Sequence, residues 1–108
     1  MNLILDRRKH KRLQKRFKSK IKLTHNFVEF DGITEDMAQD GAFISSPSWF
    51  EVQEDDKTTV RLFLPPEMTG QRETLILQGP AVVKRVEEDR GGIVLQFTKQ
   101  LKTFDVLR

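Results

Sequence analysis

The sequence predicts an all-β fold: a small antiparallel β-barrel of six or seven strands, with a flexible basic N-terminal arm and a short C-terminal helix. Apolar residues recur with period two along several short segments, as expected for strands that bury one face. Turn-forming residues separate these segments at intervals of about ten residues, which is typical of small barrels. A barrel also leaves few unpaired strand edges, which are a liability for a small sheet.

The first predicted strand spans residues 17–23. Apolar or small side chains alternate there with three lysines, so that one face of the strand is apolar and the other cationic. The basic N-terminal region is therefore divided at this strand. We predict an arm over residues 1–16 and a barrel domain over residues 17–108.

Charge is segregated along the chain. Residues 1–22 contain ten basic residues and one acidic residue, a formal charge of +9, whereas residues 23–108 contain nine basic and 15 acidic residues, a charge of −6. The arm is expected to be flexible because its like charges repel and it has little apolar surface to bury. Such a run of Arg and Lys is suited to binding phosphates.

The remaining strands are predicted from the turn signals between them. Asp31-Gly32 follows an apolar segment and is a strong turn signal. Gln39-Asp40-Gly41 is a tight turn in which the glycine can supply a positive φ, and Gly79-Pro80 marks an irregularity in a long strand. The predicted strands after the first are residues 33–37, 42–45, 58–64, 75–86 and 93–97.

The end of the chain is predicted to form the short helix. Leu101, Phe104 and Leu107 have helical spacing, which would place their side chains on one face. That face would cover one end of the barrel.

Composition and motif content argue against an enzyme. The chain has no cysteine, which excludes disulfides, thiolate chemistry and Cys-based zinc sites. His10 and His25 have no helix-spaced partner, and neither a Walker loop nor a GxGxxG motif occurs. The acidic clusters at residues 54–56 and 87–89 are interpreted as solvated turns. We therefore predict no catalytic residue, no metal and no cofactor.

The sequence also bears on location. Leu3-Ile4-Leu5 is too short for the core of a signal peptide or for a transmembrane span. Together with the lack of cysteine, this favours a cytoplasmic protein that does not insert into a membrane.

Three features occur in order along the chain. The first is Arg-x-x-x-Arg, formed by Arg8 and Arg12 and preceded by Arg7. The second starts 24 residues after Arg12 with Asp36 and ends with Gly41, in the run DMAQDG. The third is the terminal predicted strand, GIVLQF.

This order resembles the PilZ domain, the bacterial receptor module for cyclic di-GMP. The signatures of that family are RxxxR before the first strand and (D/N)xSxxG on the turn between two later strands. The resemblance runs from about Arg7 to the C-terminal residues and so covers nearly the whole chain. Arg12 and Arg16 have the same spacing as Arg8 and Arg12, so the register of the first motif stays open.

The resemblance implies that the ligand is cyclic di-GMP. An Arg fork can donate to guanine O6 and N7 and can also stack on a purine face. A carboxylate can accept from the N1–H and N2 amino group of guanine, and a glycine lets the backbone approach the ligand closely. The residues that the resemblance assigns to the ligand are Arg7, Arg8, Arg12, Asp36, Ala38 and Gly41.

Ala38 is a departure from the family pattern, which has serine at this position. An alanine side chain neither donates nor accepts a hydrogen bond. The loss of one hydroxyl contact costs about 0.5–1.5 kcal/mol, which weakens affinity about three- to tenfold.

Three functions are compatible with these features. The leading one is a non-enzymatic effector whose arm becomes ordered on binding cyclic di-GMP and which signals through an output protein, in motility or exopolysaccharide machinery by family resemblance. The second is a PilZ-like adaptor for protein partners that has lost nucleotide binding. The third is a basic barrel that binds nucleic acid; the acidic barrel, the lack of Tyr and the core-phase positions of most Phe residues disfavour it.

Overall fold

The structure, a computed structural model, describes residues 16–107 and contains seven β-strands. One single-turn helix, α1 (Pro66–Thr69), lies between the fourth and fifth strands, and two short 3-10 turns span Trp49–Glu51 and Glu88–Arg90. The strands are β1 (Phe17–Leu23), β2 (Glu29–Ala38), β3 (Gly41–Ser45), β4 (Lys57–Leu64), β5 (Thr74–Glu87), β6 (Gly92–Phe97) and β7 (Lys102–Leu107).

Six of these strands close into an antiparallel barrel. Around the barrel the order is β4, β1, β2, β3, β6 and β5, and β5 pairs back to β4. The seventh strand, β7, pairs with β5 outside this closed ring. The predicted all-β barrel is confirmed.

The barrel interior is filled by alternate residues of the strands. In β1 and β4 every second residue is buried, as the period-two pattern predicted. Interior positions carry mainly Leu, Ile and Val, whose branched side chains fill a small barrel efficiently. The fully buried apolar side chains include Ile21, Leu23, Ile44, Val60, Leu62, Leu64, Val83, Ile93 and Leu95.

The predicted turn at Asp31-Gly32 is wrong, because β2 runs through both residues. The chain reverses earlier, at residues 24–26, where the Val28 carbonyl accepts from the Leu23 N–H at 2.8 Å. Gly32 is buried, and a Cβ at that position would lie 2.5 Å from Ile44 Cγ2 and 2.9 Å from the Ser45 carbonyl oxygen. The glycine therefore serves close packing of β2 on β3, and not a turn.

The predicted C-terminal helix is also wrong, because residues 102–107 form β7. β5 has 14 residues, but β6 pairs only with residues 81–87 of its edge. β7 pairs with residues 74–78 of β5 and so occupies the part of that edge that β6 leaves open. Pairing this exposed edge outweighs the helical spacing of the three apolar residues.

Candidate functional site

The candidate site lies on the outer face of four neighbouring strands, β2, β3, β6 and β5. The strand registers align outward-facing residues in rows that run across these strands. One row consists of Asp36, Phe43, Val94 and Arg85, and the next consists of Ala38, Gly41, Gln96 and Val82. Asp36, Ala38 and Gly41 of the second motif therefore lie on one surface.

Two bulges turn the key side chains outward. The β2–β3 register shifts between Thr34 and Asp36, and the β5–β6 register shifts between Val83 and Arg85. Thr34 and Val83 are fully buried, so an uninterrupted alternation would place the residues two positions later inside the barrel as well. The extra residue in each strand reverses that phase and directs Asp36 and Arg85 to the surface.

A depression of about 260 Å³ lies on this outer face. Asp36, Ala38 and Gly41 line it, so the structure brings together the described residues of the predicted site. Their contact with a ligand stays a prediction. The same depression is lined by three cations that the motif analysis missed: Lys84, Arg85 and Arg90.

The positive φ predicted for Gly41 is wrong, whereas its approach to the ligand stays a prediction. Its φ is not positive, since Gly70 and Gly91 are the positive-φ glycines of the described residues. A Cβ on Gly41 would collide with the carbonyl oxygen of Leu95 in β6. The glycine therefore allows β3 to approach β6 closely at the edge of the depression.

Glu87 joins two of the missed cations. Its Oε2 accepts from Arg85 Nε at 2.8 Å, and its Oε1 accepts from Arg90 Nη1 at 2.8 Å. Hydrogen bonds from Arg85 and then from Arg90 hold the pKa of the Glu87 carboxyl below its ordinary value of 4.5. The interpretation of residues 87–89 as a merely solvated turn is therefore wrong for Glu87, whose side chain is only 16% exposed.

Arg90 also lies over an aromatic ring. Its Cζ lies 3.7 Å from the centroid of the Phe43 ring. Gly92 makes room for that ring, because a Cβ at Gly92 would lie 2.5 Å from Phe43 Cζ. The sequence signal for this arrangement was the run Arg85-x-Glu87-x-x-Arg90 before a double glycine, which becomes informative only once the β5–β6 register is known.

The basic arm joins the barrel beside the depression. Arg16, the first described residue, has its Nη2 3.3 Å from Glu35 Oε2, and Glu35 immediately precedes Asp36. Arg7, Arg8 and Arg12 lie outside the described residues, so the predicted flexibility of the arm and the register of its motif stay predictions.

Comparison with known families gives a match to the PilZ domain over residues 6–104. The chain belongs to the PilZ family. The matched range includes both motifs, and the resemblance identified from the sequence is confirmed. PilZ domains are cyclic di-GMP-binding effector modules and not enzymes, which agrees with the prediction that the chain has no catalytic activity.

The PilZ barrel is also found among solved structures. The crystal structure of the PilZ domain of CeSA from a cellulose-synthesizing bacterium matches with a TM-score of 0.58 and 22% identity, over 83% of this chain and 82% of that one. This likeness shows the fold. The comparison with curated proteins found no match.

Residues 16–107 contain neither a metal-binding cluster nor a membrane-spanning helix. No cluster of three or more His, Cys, Asp or Glu side chains in this part of the PilZ domain is arranged to hold a metal ion. No helix in the same range is long and apolar enough to span a bilayer.

Proposed function

We propose that this PilZ domain is a cyclic di-GMP effector that binds its ligand in the depression on the outer face of β2, β3, β6 and β5. The observation that carries the proposal is the convergence of Asp36, Ala38 and Gly41 with a cluster of cations on one surface. The arm would close over the ligand, and an unidentified output protein would recognise the altered surface. The cytoplasmic location predicted from the sequence is part of this proposal.

The charges of the site suit this ligand. Cyclic di-GMP carries two phosphates and two guanine bases. Lys84, Arg85 and Arg90 supply three positive charges in the lining of the depression against the carboxylates of Asp36 and Asp40, and residues 1–15 add six basic residues against one acidic residue. Asp36 supplies a carboxylate of the kind that accepts from the Watson–Crick edge of guanine. Cations for the phosphates and an acceptor for the base are the two elements that a guanine dinucleotide requires.

The position of the arm supports a clasp. The Arg16–Glu35 ion pair places the C-terminal end of the arm beside the residue that precedes Asp36 in β2. Arg12 is four residues before Arg16, and an extended chain spans about 3.3–3.6 Å per residue, so the motif arginines are within reach of the depression. Ordering of the arm would then follow from neutralisation of its charges by the phosphates.

Calorimetry and NMR together test the proposal. Titration of the folded domain with cyclic di-GMP at moderate salt is expected to release heat, and the amide signals of the arm and of residues 36–41 are expected to shift together. Arg8→Ala and Arg12→Ala should weaken binding, whereas Arg72→Ala, which removes an exposed cation two residues before β5, should not. No heat at tens of micromolar folded protein would overturn the proposal.

The register of the first motif is resolved by one comparison. If Arg8 and Arg12 form the motif, Arg8→Ala weakens binding more than Arg16→Ala does. The reverse order would assign the motif to Arg12 and Arg16.

Ala38 favours a second candidate, an adaptor that has lost nucleotide binding. Such an adaptor would give no response to cyclic di-GMP. Its complex with an output protein would survive Arg8→Ala and Arg12→Ala, and co-purification of a tagged domain carrying both substitutions distinguishes it from the effector.

A further inference from the structure

Glu87 fixes two guanidinium groups at the edge of the depression before any ligand is bound. Both of its oxygens accept, one from Arg85 and one from Arg90, each at 2.8 Å. The carboxylate side chain is 16% exposed, whereas the side chains of Arg85 and Arg90 are 54% and 48% exposed. The acid is therefore covered, and the two cations that it orients remain open to solvent.

One face of the Arg90 guanidinium is already occupied. The group lies 3.7 Å from the centroid of the Phe43 ring, which is the separation of stacked planar groups. Phe43 is only 5% exposed, and its ring lies close to the backbone at Gly92. The layers therefore run from the sheet to Phe43 and then to Arg90, and the outermost layer is a half-exposed guanidinium plane that lines the depression.

A plane held in this way is suited to stacking on a base. Arg stacks on purine faces, and the ordering of its long side chain is normally an entropic cost of binding. Here the hydrogen bond to Glu87 and the Phe43 ring have already restricted that side chain. The remaining exposed face can take up a planar ligand group with little further loss of freedom.

We propose that Arg90, stacked on Phe43, forms a preformed guanidinium platform for one purine base of the ligand, and that Glu87 is a positioning residue for it. The inference rests on the proposed function, because it concerns the same depression. It assigns base stacking to the barrel, in addition to the contacts expected from the two family motifs.

Glu87→Gln tests the positioning role, because the platform and simple electrostatics predict opposite changes in the affinity for cyclic di-GMP. Removing a negative charge beside a dianionic ligand should by itself tighten binding. The platform predicts the opposite, because an amide has only one oxygen and its NH2 group would face one of the two guanidinium groups, so that Arg90 loses its orientation. We expect cyclic di-GMP to bind at least about threefold more weakly to Glu87→Gln, whereas the matched variant Glu88→Gln, which removes an exposed acid from the same hairpin, should bind as well as or better than the unmodified domain.

Arg90→Lys tests the stacking role at constant charge. A lysine can still attract phosphate but offers no plane, so we expect affinity to fall about fivefold or more while its salt dependence stays unchanged. Arg72→Lys is the matched control and should have no effect. In the free protein, the Arg90 side-chain signals should be shifted upfield by the Phe43 ring, and this shift should disappear in Glu87→Gln.

The outcomes separate this inference from the proposed function. If the unmodified domain binds cyclic di-GMP and either Glu87→Gln binds more tightly or Arg90→Lys binds equally well, the platform is wrong and the effector function stands. If the unmodified domain does not bind cyclic di-GMP, both are wrong. Thermal unfolding of each variant confirms that the comparison is made between folded proteins.

Discussion

Two hydroxyl groups are buried inside the barrel at a cost to stability. Ser19 and Thr34 are fully buried, and neither side-chain oxygen has a hydrogen-bond partner among residues 16–107. Thr58 is also buried, but its Oγ1 donates to the Ala81 carbonyl at 3.0 Å. A buried threonine hydroxyl is therefore without a hydrogen bond to the described residues at Thr34 and hydrogen-bonded at Thr58.

Replacing Thr34 by Val is expected to stabilise the domain. Valine has nearly the same shape and removes the unpaired hydroxyl, so the free energy of unfolding should rise by about 1 kcal/mol. Thr58→Val is the matched control and should lower it by about 1 kcal/mol, because it removes the hydrogen bond that the Thr58 hydroxyl donates to the Ala81 carbonyl. Urea denaturation measures both values. Equal destabilisation by the two substitutions would contradict the assignment.

Restoring the family serine should strengthen ligand binding. Ala38 is half-buried and lines the depression, so the added hydroxyl of Ala38→Ser would face the ligand without entering the barrel core. We expect affinity for cyclic di-GMP to rise about three- to tenfold, measured by calorimetry. Ala38→Gly, which adds no hydroxyl, is the control. A tighter complex with glycine than with serine would count against a hydroxyl contact at this position.

The ionisation of Glu87 can be followed directly. Its two arginine partners lower its pKa in the folded domain, so its carboxylate should titrate below 4.5. The stabilisation that these contacts provide is fully present above the pKa of an unfolded glutamate and is lost as the pH falls through the lower folded value. NMR titration of the side-chain carboxyl should show this low midpoint, and Arg85→Gln should raise it. An unchanged midpoint in that variant would contradict the hydrogen bond from Arg85.

At the scale of elements, β5 organises the C-terminal half of the fold. One edge pairs with β4, and the other edge pairs with β6 and β7 at different positions along its 14 residues. The chain crosses from β6 to β7 at residues 98–101, and Leu101 packs against the barrel core there. Gly79 lies beneath this crossing, which accounts for the small residue that the sequence analysis interpreted as an irregularity.

Gly79→Ala should loosen β7 selectively. The new Cβ would lie 2.6 Å from Leu101 Cδ2 and 3.3 Å from Leu101 Cα, so the crossing segment would have to move away from β5. We expect faster hydrogen exchange at the amides of β7 and little change in β1 to β4. The double variant Gly79→Ala, Leu101→Ala should regain part of the protection from exchange in β7, because the Leu101 Cδ2 atom that the new Cβ would meet is then absent. Uniformly faster exchange over all strands would indicate general destabilisation instead.

At the scale of the whole molecule, the distribution of charge and of exposed aromatic rings bears on whether the ligand is cyclic di-GMP or a nucleic acid. Most Phe residues were expected at core-phase positions, but Phe27, Phe50 and Phe104 are exposed. Lys22 lies over the Phe27 ring at 5.5 Å and Arg61 over the Phe104 ring at 4.1 Å. Exposed rings beside cations also occur on surfaces that bind nucleic acid, so a direct comparison of the two ligands is informative.

Salt dependence provides that comparison. Cyclic di-GMP has two phosphates, so the slope of log affinity against log salt should be no steeper than about −2. A nucleic acid held by the whole arm would contact many more phosphates and give a much steeper slope. Calorimetry for cyclic di-GMP and electrophoretic mobility shifts for single-stranded RNA, over the same salt series, measure both. Tight RNA binding with a steep slope and no heat from cyclic di-GMP would favour the nucleic-acid function.

Much of the fold was determined locally and could be predicted. The alternation of residues in β1 and β4 and the glycines after Arg90 specified strands and a hairpin, because a strand with one buried face requires period two and a left-handed turn residue favours Gly. The ordered motifs around Arg8 and Asp36 identified the family. Each of these patterns lies within a short stretch of the chain, and the family follows from the order of two such stretches.

The tertiary structure decided what depends on distant pairing. Gly32 and Gly41 resemble turn glycines in the sequence, but each is required because another strand passes too close for a Cβ. The last strand forms because β5 has an edge to be paired, and local spacing carries no information about that edge. Arg85 and Arg90 enter the site because a bulge and a hairpin turn them toward Asp36 across three strand pairs. The sequence by itself determined the family and most strands, whereas contacts between strands remote in the chain determined how the site is assembled.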